Sequence, residues 1–549
     1  MKRLAVLGFL LLGNLAGNGS GAGRRELAVT PGDGRFFGGE EVHRDIVCAD
    51  AGEETVCRWA LVFPEDQVVE QGTLTLARAA GEARGEFVTH MPPVTQRLSF
   101  HLVVRVEARR AFTTERRYWE TVFPAGPAAE DLEQLSGLRI GLLDPVRTTA
   151  QVLTQMKVPF TQLSANMGLG AFSGGVIIVG EDALTEAPAT LLLAEERARQ
   201  GVTVVVLTQK TWPPAHLWPP WFLGATGPAS SGALALSTRA ELMRDLLADD
   251  LNNWRTTPAP GELESARMAM WQALRVPERG NRRVYLGSWG TATEAFLLEY
   301  RAGDGRVFLT TMPMVACYEK EPVARVLLRN LLLLAAADRT VEWKRVALWG
   351  DPKGQLVPWL RELGLEVPLN PANLAEVDVL VLEGGASLTT FFPRHEKEQA
   401  EELMRFTGRG GTVLLIGLKA EVLPEHEGLL PRGTTLTETK VDQVLFERKE
   451  PLFWGMPPDA LGRFVANWQA VMVPQFPEEA KAETLTKPPL IVRLPAGKGT
   501  VLLVQAPFGE REREGLATEE QAKCLLSQIL TNLGVRLSEP AGGGKEESR

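Results

Sequence analysis

The sequence predicts a multidomain protein in which an N-terminal all-β sandwich is followed by two α/β domains. Short extended segments separated by turn residues fill residues 25–125, a spacing typical of a β-sandwich. Beyond them, an apolar strand, a helix and a second apolar strand follow one another twice, at 175–207 and 377–424. Such βαβ units bury both strands in a parallel sheet. The predicted fold class therefore depends on two observations, the all-β segment and the repeated α/β unit.

Composition excludes several classes of protein. The chain has 549 residues, a length typical of about three or four domains. Its hydrophobic content of 44% and charged content of 23% are those of an ordinary globular protein. The formal net charge of -9 argues against a general nucleic-acid binder. Four cysteines are too few for a disulfide scaffold or a cysteine-rich metal site.

Residues 1–23 have the pattern of an export signal. Lys2 and Arg3 precede the apolar segment 4–12, and small residues at 16–23 offer a cleavage site. The apolar segment is too short to span a bilayer as a mature helix, and Arg325 and Arg329 interrupt the later apolar segment 323–337. We therefore expect an exported protein, periplasmic or extracellular, with no stable transmembrane span in the mature chain. An uncleaved signal anchor is the alternative.

The predicted sandwich contains two cysteines. Its strands are expected at 42–48, 55–63, 72–76, 96–107 and 116–123. Cys48 and Cys57 flank a short turn and are expected to meet across a hairpin, where an exported protein can form a disulfide. Two reduced cysteines on neighbouring strands are the alternative. A linker is expected at 124–133.

The two α/β domains, predicted at 134–340 and 342–537, match one another along their length. Ile140 and Val346 are separated by 206 positions, Val176 and Val379 by 203, and Asn330 and Asn532 by 202. Two units of this size indicate tandem domains rather than a short-period solenoid. Within the first, residues 225–272 are expected to form a helical insertion with surface acids. Residues 538–549 are expected to be a disordered tail.

The second α/β repeat contains four characteristic segments: GRGGTVLLIG at 408–417, EPLFWGM at 450–456, AGKGTVLLVQ at 496–505 and QILTNLGV at 528–535. Through these segments the repeats resemble the flavodoxin-like, class I glutamine amidotransferase-like fold, and in particular the non-catalytic copies near the C-termini of β-galactosidase-like glycoside hydrolases. The N-terminal module contains FFGGEEVHRDIVC at 36–48, the strand around Trp59 and the Pro92-Pro93-Val94 segment. Through these it resembles the β-sandwich linkers of glycoside hydrolase family 2.

The resemblance implies an amidotransferase cysteine that this chain lacks. In the family, a nucleophilic cysteine lies on a tight turn after the central strand, and a His-Glu pair activates it. The corresponding turns here read Thr-Gln-Lys at 208–210 and Gly-Leu-Lys at 417–419. Cys317 and Cys524 lie elsewhere and are expected to be buried apolar residues. We therefore predict a pseudoenzyme without glutamine hydrolysis, and no segment remains to build a glycosidase barrel.

Polar residues at the ends of the predicted strands are the candidate ligand-binding residues, because ligands of open α/β sheets bind beyond the carboxyl ends of the strands. The first repeat offers one such cleft and the second repeat another. The Glu-Gly-Gly sequence at 383–385 can present a carboxylate and free N–H groups, or can simply form a tight turn. The predicted residues are Asp144, Glu181, Asp182 and Gln209 at the first cleft, and Asp351, Glu383 and Lys419 at the second.

A stiff aromatic loop is the other candidate. Residues 211–222 read TWPPAHLWPPWF, in which Trp212, Trp218 and Trp221 lie among four prolines. Their rings can stack on sugar faces, and the prolines would order the loop in advance. The alternative is a lid whose tryptophans pack on the domain.

The sequence as a whole predicts an exported, non-catalytic binding or scaffold protein that requires no cofactor and no metal. The resemblance to glycosidase accessory domains implies carbohydrate or cell-envelope proteins as partners. The opposing hypothesis is a glycan-acting hydrolase of the cell envelope that uses carboxylates in a cleft. A third is an assembly protein that contacts envelope subunits through an exposed apolar patch.

Overall fold

A computed structural model describes most of the chain from residue 27 to residue 538. Within that range it leaves out 32–33, 50–54, 65–66, 80, 109–111, 165–169, 171, 229–232, 237–240, 253, 255–271, 289–290, 338–342, 386, 388–395, 427, 448, 467, 469 and 509–515. The predicted export signal and residues 539–549 of the predicted tail lie outside the described residues. The chain divides into two compact units, Met1–Phe123 and Pro124–Arg549.

The first unit is a β-sandwich. One sheet has the order β1-β3-β7-β6, and the other has the order β2-β9-β8-β4-β5. All pairs are antiparallel except β2 with β9. The strands are β1 (Leu27–Thr30), β2 (Gly34–Phe37), β3 (Glu41–Ala49), β4 (Thr55–Phe63), β5 (Gln67–Thr75), β6 (Ala77–Ala79), β7 (Glu82–His90), β8 (Leu98–Ala108) and β9 (Phe112–Phe123).

The core of the sandwich lies between the two sheets. It combines Ile46 and Phe87 of the first sheet with Trp59 and Val104 of the second, and the rings of Trp59 and Phe87 stack with their centroids 5.1 Å apart. Alternation explains the arrangement, because every second residue of β3 is buried. The predicted all-β module is therefore confirmed.

The second unit contains two open sheets of related topology. The first sheet has its parallel strands in the order β11-β10-β12-β13-β19 and continues through antiparallel strands. Its strands are β10 (Ile140–Leu143), β11 (Thr161–Leu163), β12 (Val176–Val179), β13 (Thr203–Val206), β14 (Ala225–Pro228), β15 (Ala233–Ala235), β16 (Gln272–Arg275), β17 (Arg282–Ser288), β18 (Glu294–Ala302) and β19 (Gly305–Thr310); its helices are α1 (Ala129–Ser136), α2 (Thr148–Gln155), α3 (Thr190–Arg199) and α4 (Pro322–Ala336).

The second sheet repeats this plan in the order β20-β21-β22-β29-β28-β26. A parallel bridge between Leu348 and Leu369 stands where the first sheet has its edge strand. The strands are β20 (Val346–Trp349), β21 (Val379–Glu383), β22 (Thr412–Ile416), β23 (Thr435–Thr439), β24 (Leu445–Phe446), β25 (Val471–Gln475), β26 (Glu483–Thr484), β27 (Thr486–Lys487), β28 (Ile491–Ala496) and β29 (Gly499–Val504); the helices are α5 (Leu356–Glu362), α6 (Glu396–Gly408), α7 (Ala460–Ala466) and α8 (Leu516–Asn532).

The first sheet has the 2-1-3-4-5 strand order of flavodoxin-like folds, and the second has the 1-3-4-5 part of that order, so the predicted fold class is confirmed. The strands also begin where the predicted repeat requires, since β10 and β20 begin at Ile140 and Val346, and their registers pair Ile140 with Val176 and Val346 with Val379. The predicted bounds of the two α/β domains stay a prediction.

Equivalent glycines close the last hairpin of each sheet. Gly303 and Gly497 have φ angles of 55° and 61°, a conformation that favours glycine. A Cβ on Gly303 would lie 2.7 Å from the carbonyl oxygen of Arg199, and one on Gly497 would lie 3.0 Å from the Cα of Gly408. Each hairpin therefore packs against the end of the helix that precedes the fourth strand.

The two α/β sheets share one hydrophobic core. Helix α8 of the second repeat packs on β17 of the first, where the guanidinium of Arg282 donates to the carbonyl of Cys524 at 2.8 Å. The side-chain amide of Asn281 donates to Leu537 O at 3.1 Å and accepts from Leu537 N at 2.8 Å. The final helix therefore completes the core of both repeats.

Two local predictions are wrong. Part of the expected linker 124–133 belongs to helix α1, whose Asp131 is buried and paired with Arg244 at 2.6 Å. The described part of the insertion 225–272 contains short strands and the 3-10 turn Ala248–Leu251. Asp250, expected at the surface, is buried, and its carboxylate accepts a hydrogen bond from Leu247 N at 2.8 Å. Distant pairing decides the local structure in both segments, through the ion pair of Asp131 in the first and the pairing of β15 with β17 in the second.

Candidate functional site

The strand ends of the first α/β sheet do bring the predicted polar residues together, but the chain itself uses their polar atoms. Asp144 follows β10 and is fully buried, and its carboxylate accepts from Arg147 N at 3.0 Å and Ala150 N at 2.7 Å. It therefore closes the turn into helix α2. Its role is structural, because both acceptor oxygens are occupied by the start of the helix that follows.

Glu181 binds the segment that follows β19. Its two carboxylate oxygens accept from Val315 N at 2.8 Å and Ala316 N at 2.9 Å, and the residue is only 7% exposed. Burial raises the pKa of Glu181 to about 7, although the two backbone N–H donors oppose this shift. The carboxyl group therefore anchors residues 315–316 across the strand ends.

Gln209 takes the position at which the resemblance requires a turn cysteine. It is 2% exposed, its amide nitrogen donates to Gly180 O and Leu207 O at 2.8 Å each, and its oxygen accepts from Leu184 N at 2.9 Å. The amide thus fastens three backbone segments together. No functional group of Gln209 is left to contact a ligand.

Asp182 is the more accessible residue at this edge. It has a φ of 59°, accepts from Lys210 N at 2.8 Å and forms an ion pair with Lys210 Nζ at 2.9 Å. The hydrogen bond to Asp182 raises the pKa of Lys210. This pair lies at the surface, beside a strand-end crevice that residues 312–316 already occupy.

In the second sheet, Asp351 and Glu383 meet at the point where the strand order reverses. The N–H of Asp351 donates to Glu383 Oε2 at 2.8 Å, and the Asp351 carboxylate accepts from Lys353 N at 2.9 Å. Burial raises the pKa of Glu383, while the bond from Asp351 opposes it. These two carboxyl groups are half-buried and shape the turn after β20. The turn interpretation of the Glu-Gly-Gly sequence is consistent with this, because Gly384 N donates to Ile416 O at 2.8 Å.

Lys419 instead lines a separate open cleft of about 340 Å³ at the carboxyl ends of β22 and β29. We call it the strand-end cleft. Strand β25 forms its opposite wall and pairs with β23, with Met472 opposite Glu438. The complete lining is Gly417, Leu418, Lys419, Glu421, Glu438, Ala470, Val471, Met472, Gln505, Ala506 and Pro507.

The base of the strand-end cleft is rigid, and its rim is charged. Gln505 is buried, accepts from Leu418 N at 2.8 Å and donates to Leu418 O at 3.0 Å. Lys419, Glu421 and Glu438 are exposed. A preformed base with an ammonium donor and carboxylate acceptors at the rim suits a small polyhydroxylated or zwitterionic ligand.

Sequence reasoning identified Lys419 but missed Glu421 and Glu438. Glu421 lies two positions after Lys419, so the same strand-end argument finds it. Glu438 lies on β23, whose partner β25 is more than thirty residues further along the chain. No local pattern indicates that this pairing places Glu438 beside the end of β22.

The aromatic loop packs largely on its own domain. Trp221 is 1% exposed and stacks on Tyr300 with the ring centroids 4.3 Å apart. Trp212 and Trp218 are half-buried against Phe222, with centroid distances of 4.8 and 5.1 Å. The expectation that Trp221 stacks on a sugar is therefore wrong, because its ring faces are buried in the core.

The indole N–H groups of Trp212 and Trp218 are also used within the loop region. Trp212 donates to Gln272 Oε1 at 3.1 Å, and Trp218 donates to Pro213 O at 2.6 Å. These contacts hold both rings in place. They favour the lid interpretation of the loop over the ligand-platform interpretation.

The four cysteines are buried thiols. Cys48 on β3 and Cys57 on β4 belong to different sheets of the sandwich, so the expected hairpin between them is wrong; they share one core cluster. Both are thiols in this structure, and the disulfide between them stays a prediction. Burial, reinforced by Cys48, raises the pKa of Cys57 to about 12.

The cysteines of the α/β unit lack the properties of a nucleophile. Cys317 follows β19, and burial raises its pKa to about 12; Cys524 lies in α8, and burial raises its pKa to about 11. A thiol attacks as its thiolate, so both are poorly reactive at neutral pH. Cys524 instead donates weakly to Val276 O at 3.7 Å, within the shared core.

The described residues contain neither a cluster of metal ligands nor a helix that could span a membrane. In that part of the chain, no group of three or more histidine, cysteine or acidic side chains is arranged to hold a metal ion. None of the described helices is both long and apolar enough to cross a bilayer.

No family model and no curated protein matches the chain. Solved structures match parts of it, in β-sandwich domains and in regions of glycoside hydrolases. CopC from Methylosinus trichosporium OB3b is 14% identical, covers 19% of this chain and 98% of its own, and has a TM-score of 0.14. An exo-beta-1,4-mannosidase from Opitutaceae bacterium strain TAV5 is 12% identical over 38% of this chain, with a TM-score of 0.20.

A beta-glucuronidase from Parabacteroides merdae is 13% identical over 37% of this chain, with a TM-score of 0.13. This chain spans only 35% of the mannosidase and 24% of the glucuronidase. Likenesses this partial do not indicate a common activity. The functional conclusion therefore depends on the site itself.

Proposed function

We propose that this chain is an exported, non-catalytic binding protein that holds a carbohydrate in the strand-end cleft of its second α/β sheet. The observation that carries the proposal is the contrast between the two repeats. The first closes its strand ends with its own residues 312–316, whereas the described residues of the second leave a cleft of about 340 Å³ at the equivalent edge. A duplicated fold that preserves an opening in one copy has a site where a ligand can bind.

The chemistry of the cleft favours a polyhydroxylated ligand. Lys419 provides hydrogen-bond donors, Glu421 and Glu438 provide acceptors, and Val471 and Met472 provide an apolar wall. Sugar hydroxyl groups both donate and accept, and the C–H faces of a sugar ring pack on apolar side chains. The resemblance of the repeats to glycosidase accessory domains is consistent with this ligand class. The export pattern of residues 1–23 favours a location where envelope glycans occur.

The same cleft also supports a second candidate function, because Glu421 and Glu438 both line it. A glycan-acting hydrolase needs two carboxyl groups on either side of the scissile bond, one of them protonated at working pH. Both glutamates are exposed at the rim, whereas the general acid of such an enzyme lies in an apolar pocket. Binding is therefore the better-supported function.

The test is a glycan array of neutral and uronate-containing oligosaccharides probed with the purified chain, followed by calorimetric titration of each hit. We expect saturable binding that Lys419→Ala and Glu438→Ala weaken by about tenfold each, since each removes one charged hydrogen-bonding group. Lys487→Ala and Glu479→Ala, exposed residues of the same repeat that lie outside the cleft, are the matched controls.

Two outcomes would count against the proposal. Binding that is equally strong in the cleft variants and in the controls would remove the cleft as the site. Release of reducing ends from a bound glycan, lost in Glu421→Gln or Glu438→Gln, would establish the hydrolase instead.

A further inference from the structure

We propose that the outer face of the five-stranded sheet of the sandwich, centred on Trp119, is a second carbohydrate-binding surface. Trp119 lies on β9 and is 63% exposed, the largest exposed fraction among the large hydrophobic side chains of the described residues. The adjacent positions Tyr118 and Glu120 are buried. Strand alternation thus turns the Trp119 ring away from the core, onto the outer face of the sheet.

The strand register extends this position into a strip. Trp119 is paired with His101 of β8, His101 with Val62 of β4, and Val62 with Val68 of β5. The imidazole of His101 lies against the indole with the ring centroids 3.9 Å apart, and Val68 is 50% exposed. Three inter-strand steps make the strip about 14 Å long. We call these four residues the Trp119 strip.

Charged side chains of both signs lie beside the strip on the same face. Arg117 and Glu115 form a pair at 3.4 Å, and Arg105 and Glu107 form another at 3.0 Å. Arg117 is two positions from Trp119 on β9 and is paired with Val103 of β8. The strip is therefore bordered by fixed donors and acceptors rather than by one dominant charge.

This combination fits a glycan better than a protein partner. A sugar ring packs its C–H face on an exposed indole, and its hydroxyl groups donate to carboxylates and accept from guanidinium groups. A protein partner would have to remove water from the bordering ion pairs, which costs more than their attraction returns unless new partners replace the water. Within the strip, Val62 is only 8% exposed, so Trp119 and Val68 supply its exposed apolar surface. The observations therefore point to a short stretch of glycan lying across the strands.

The inference deepens the proposed function and rests on it for the class of ligand, but the surface lies in the other compact unit. Variants of Trp119 and of Lys419 therefore separate the two sites. The experiment titrates the purified full chain with the hits of the glycan array, for the wild type and for Trp119→Ala, Trp119→Phe and Lys419→Ala. The control is Leu445→Ala, which removes a 54% exposed apolar side chain from β24.

We expect Trp119→Ala to weaken binding of at least one glycan about three- to tenfold, and Trp119→Phe to retain most of the affinity because it keeps an aromatic face. Leu445→Ala should leave the affinity unchanged. An exposed position tolerates these changes, so circular dichroism should show the same fold in all variants.

The outcomes distinguish the two proposals. A loss in Lys419→Ala alone overturns the Trp119 surface and leaves the strand-end cleft standing. A loss in Trp119→Ala alone supports the surface and removes the cleft. Equal affinity in all variants, or an array without hits, overturns both, and co-purification of a protein that Trp119→Ala releases would assign the strip to a protein partner instead.

Discussion

His426 should make the α/β unit less stable in mild acid, and replacing it should remove part of that sensitivity. The residue ends the 3-10 turn Ala420–His426 and is 1% exposed, and neither ring nitrogen has a hydrogen-bond partner among the described residues. Burial lowers the pKa of His426 from 6.5 to about 4, although the nearby Glu425 opposes the shift. The folded protein therefore holds the imidazole neutral where the unfolded chain would protonate it.

The sign and size of the effect follow from this difference. Because the pKa of His426 is depressed in the folded state, protonation of the unfolded chain lowers the free energy of unfolding as the pH falls from 6.5 to 4. Above pH 6.5 the residue is neutral in both states and this loss is absent. Between pH 8 and pH 5 the loss is about 2 kcal/mol, since one pKa unit corresponds to about 1.4 kcal/mol. His426→Leu cannot be protonated, so it should gain about that amount relative to the wild type over the same interval.

Urea unfolding followed by tryptophan fluorescence at pH 8 and pH 5 measures this difference. At pH 8 the leucine variant should be about as stable as the wild type, because it removes two buried nitrogens without partners and keeps a similar volume. His216→Leu, an exposed histidine of the same unit, is the control and should follow the wild type at both values. If the free energies of His426→Leu and wild type differ by the same amount at both pH values, the imidazole is not buried as a neutral group and the reasoning is refuted.

Three further predictions test other buried contacts by the same urea assay. Burial raises the pKa of Glu181 to about 7, so the free energy of unfolding of the wild type should fall as the pH rises and the buried carboxyl group ionises. Glu181→Gln cannot ionise, so it should gain about 3 kcal/mol of stability relative to the wild type between pH 4.5 and pH 8; a constant difference would contradict this. Trp221→Ala should cost about 3–5 kcal/mol of stability and Trp212→Ala clearly less, because only Trp221 is fully buried; equal losses would count against the stacking. Asn330→Ala should cost about 2 kcal/mol and Asn532→Ala less, since each asparagine amide donates to two carbonyls but only Asn330 is fully buried; the reverse order would refute that assignment.

The fold is predictable where the chain repeats short-range patterns. Strands β12 and β22 lie within the two predicted βαβ units, because a fully apolar segment next to an amphipathic helix forms a buried strand. Strand β7 was missed, since its segment Glu82–His90 is largely polar and is held in place by pairing with β3 along its whole length. Pairing of that kind cannot be seen in a local window.

The site was predictable only in outline. The strand-end rule correctly placed Asp144, Glu181 and Gln209 at one edge of a sheet, but whether a side chain there meets a ligand or a backbone N–H depends on loops from elsewhere in the chain. The N–H groups of residues 315–316 donate to Glu181, whereas none of the described segments covers the side of Lys419 that lines the cleft. Trp119 could not be recognised from the sequence, because its exposure depends on which face of β9 lies on the outside of the sheet.

The core shared by the two repeats has a consequence for the order of synthesis. The ribosome completes β19 at Thr310 and reaches Asn532, the end of α8, 222 residues later (532 − 310). At about 5–20 residues per second this takes about 10–45 seconds. Throughout that interval the apolar face of β17 lacks the helix that covers it in the finished protein. The nascent first repeat therefore exposes part of its core, and we expect a chaperone to cover this apolar surface until the last helix emerges.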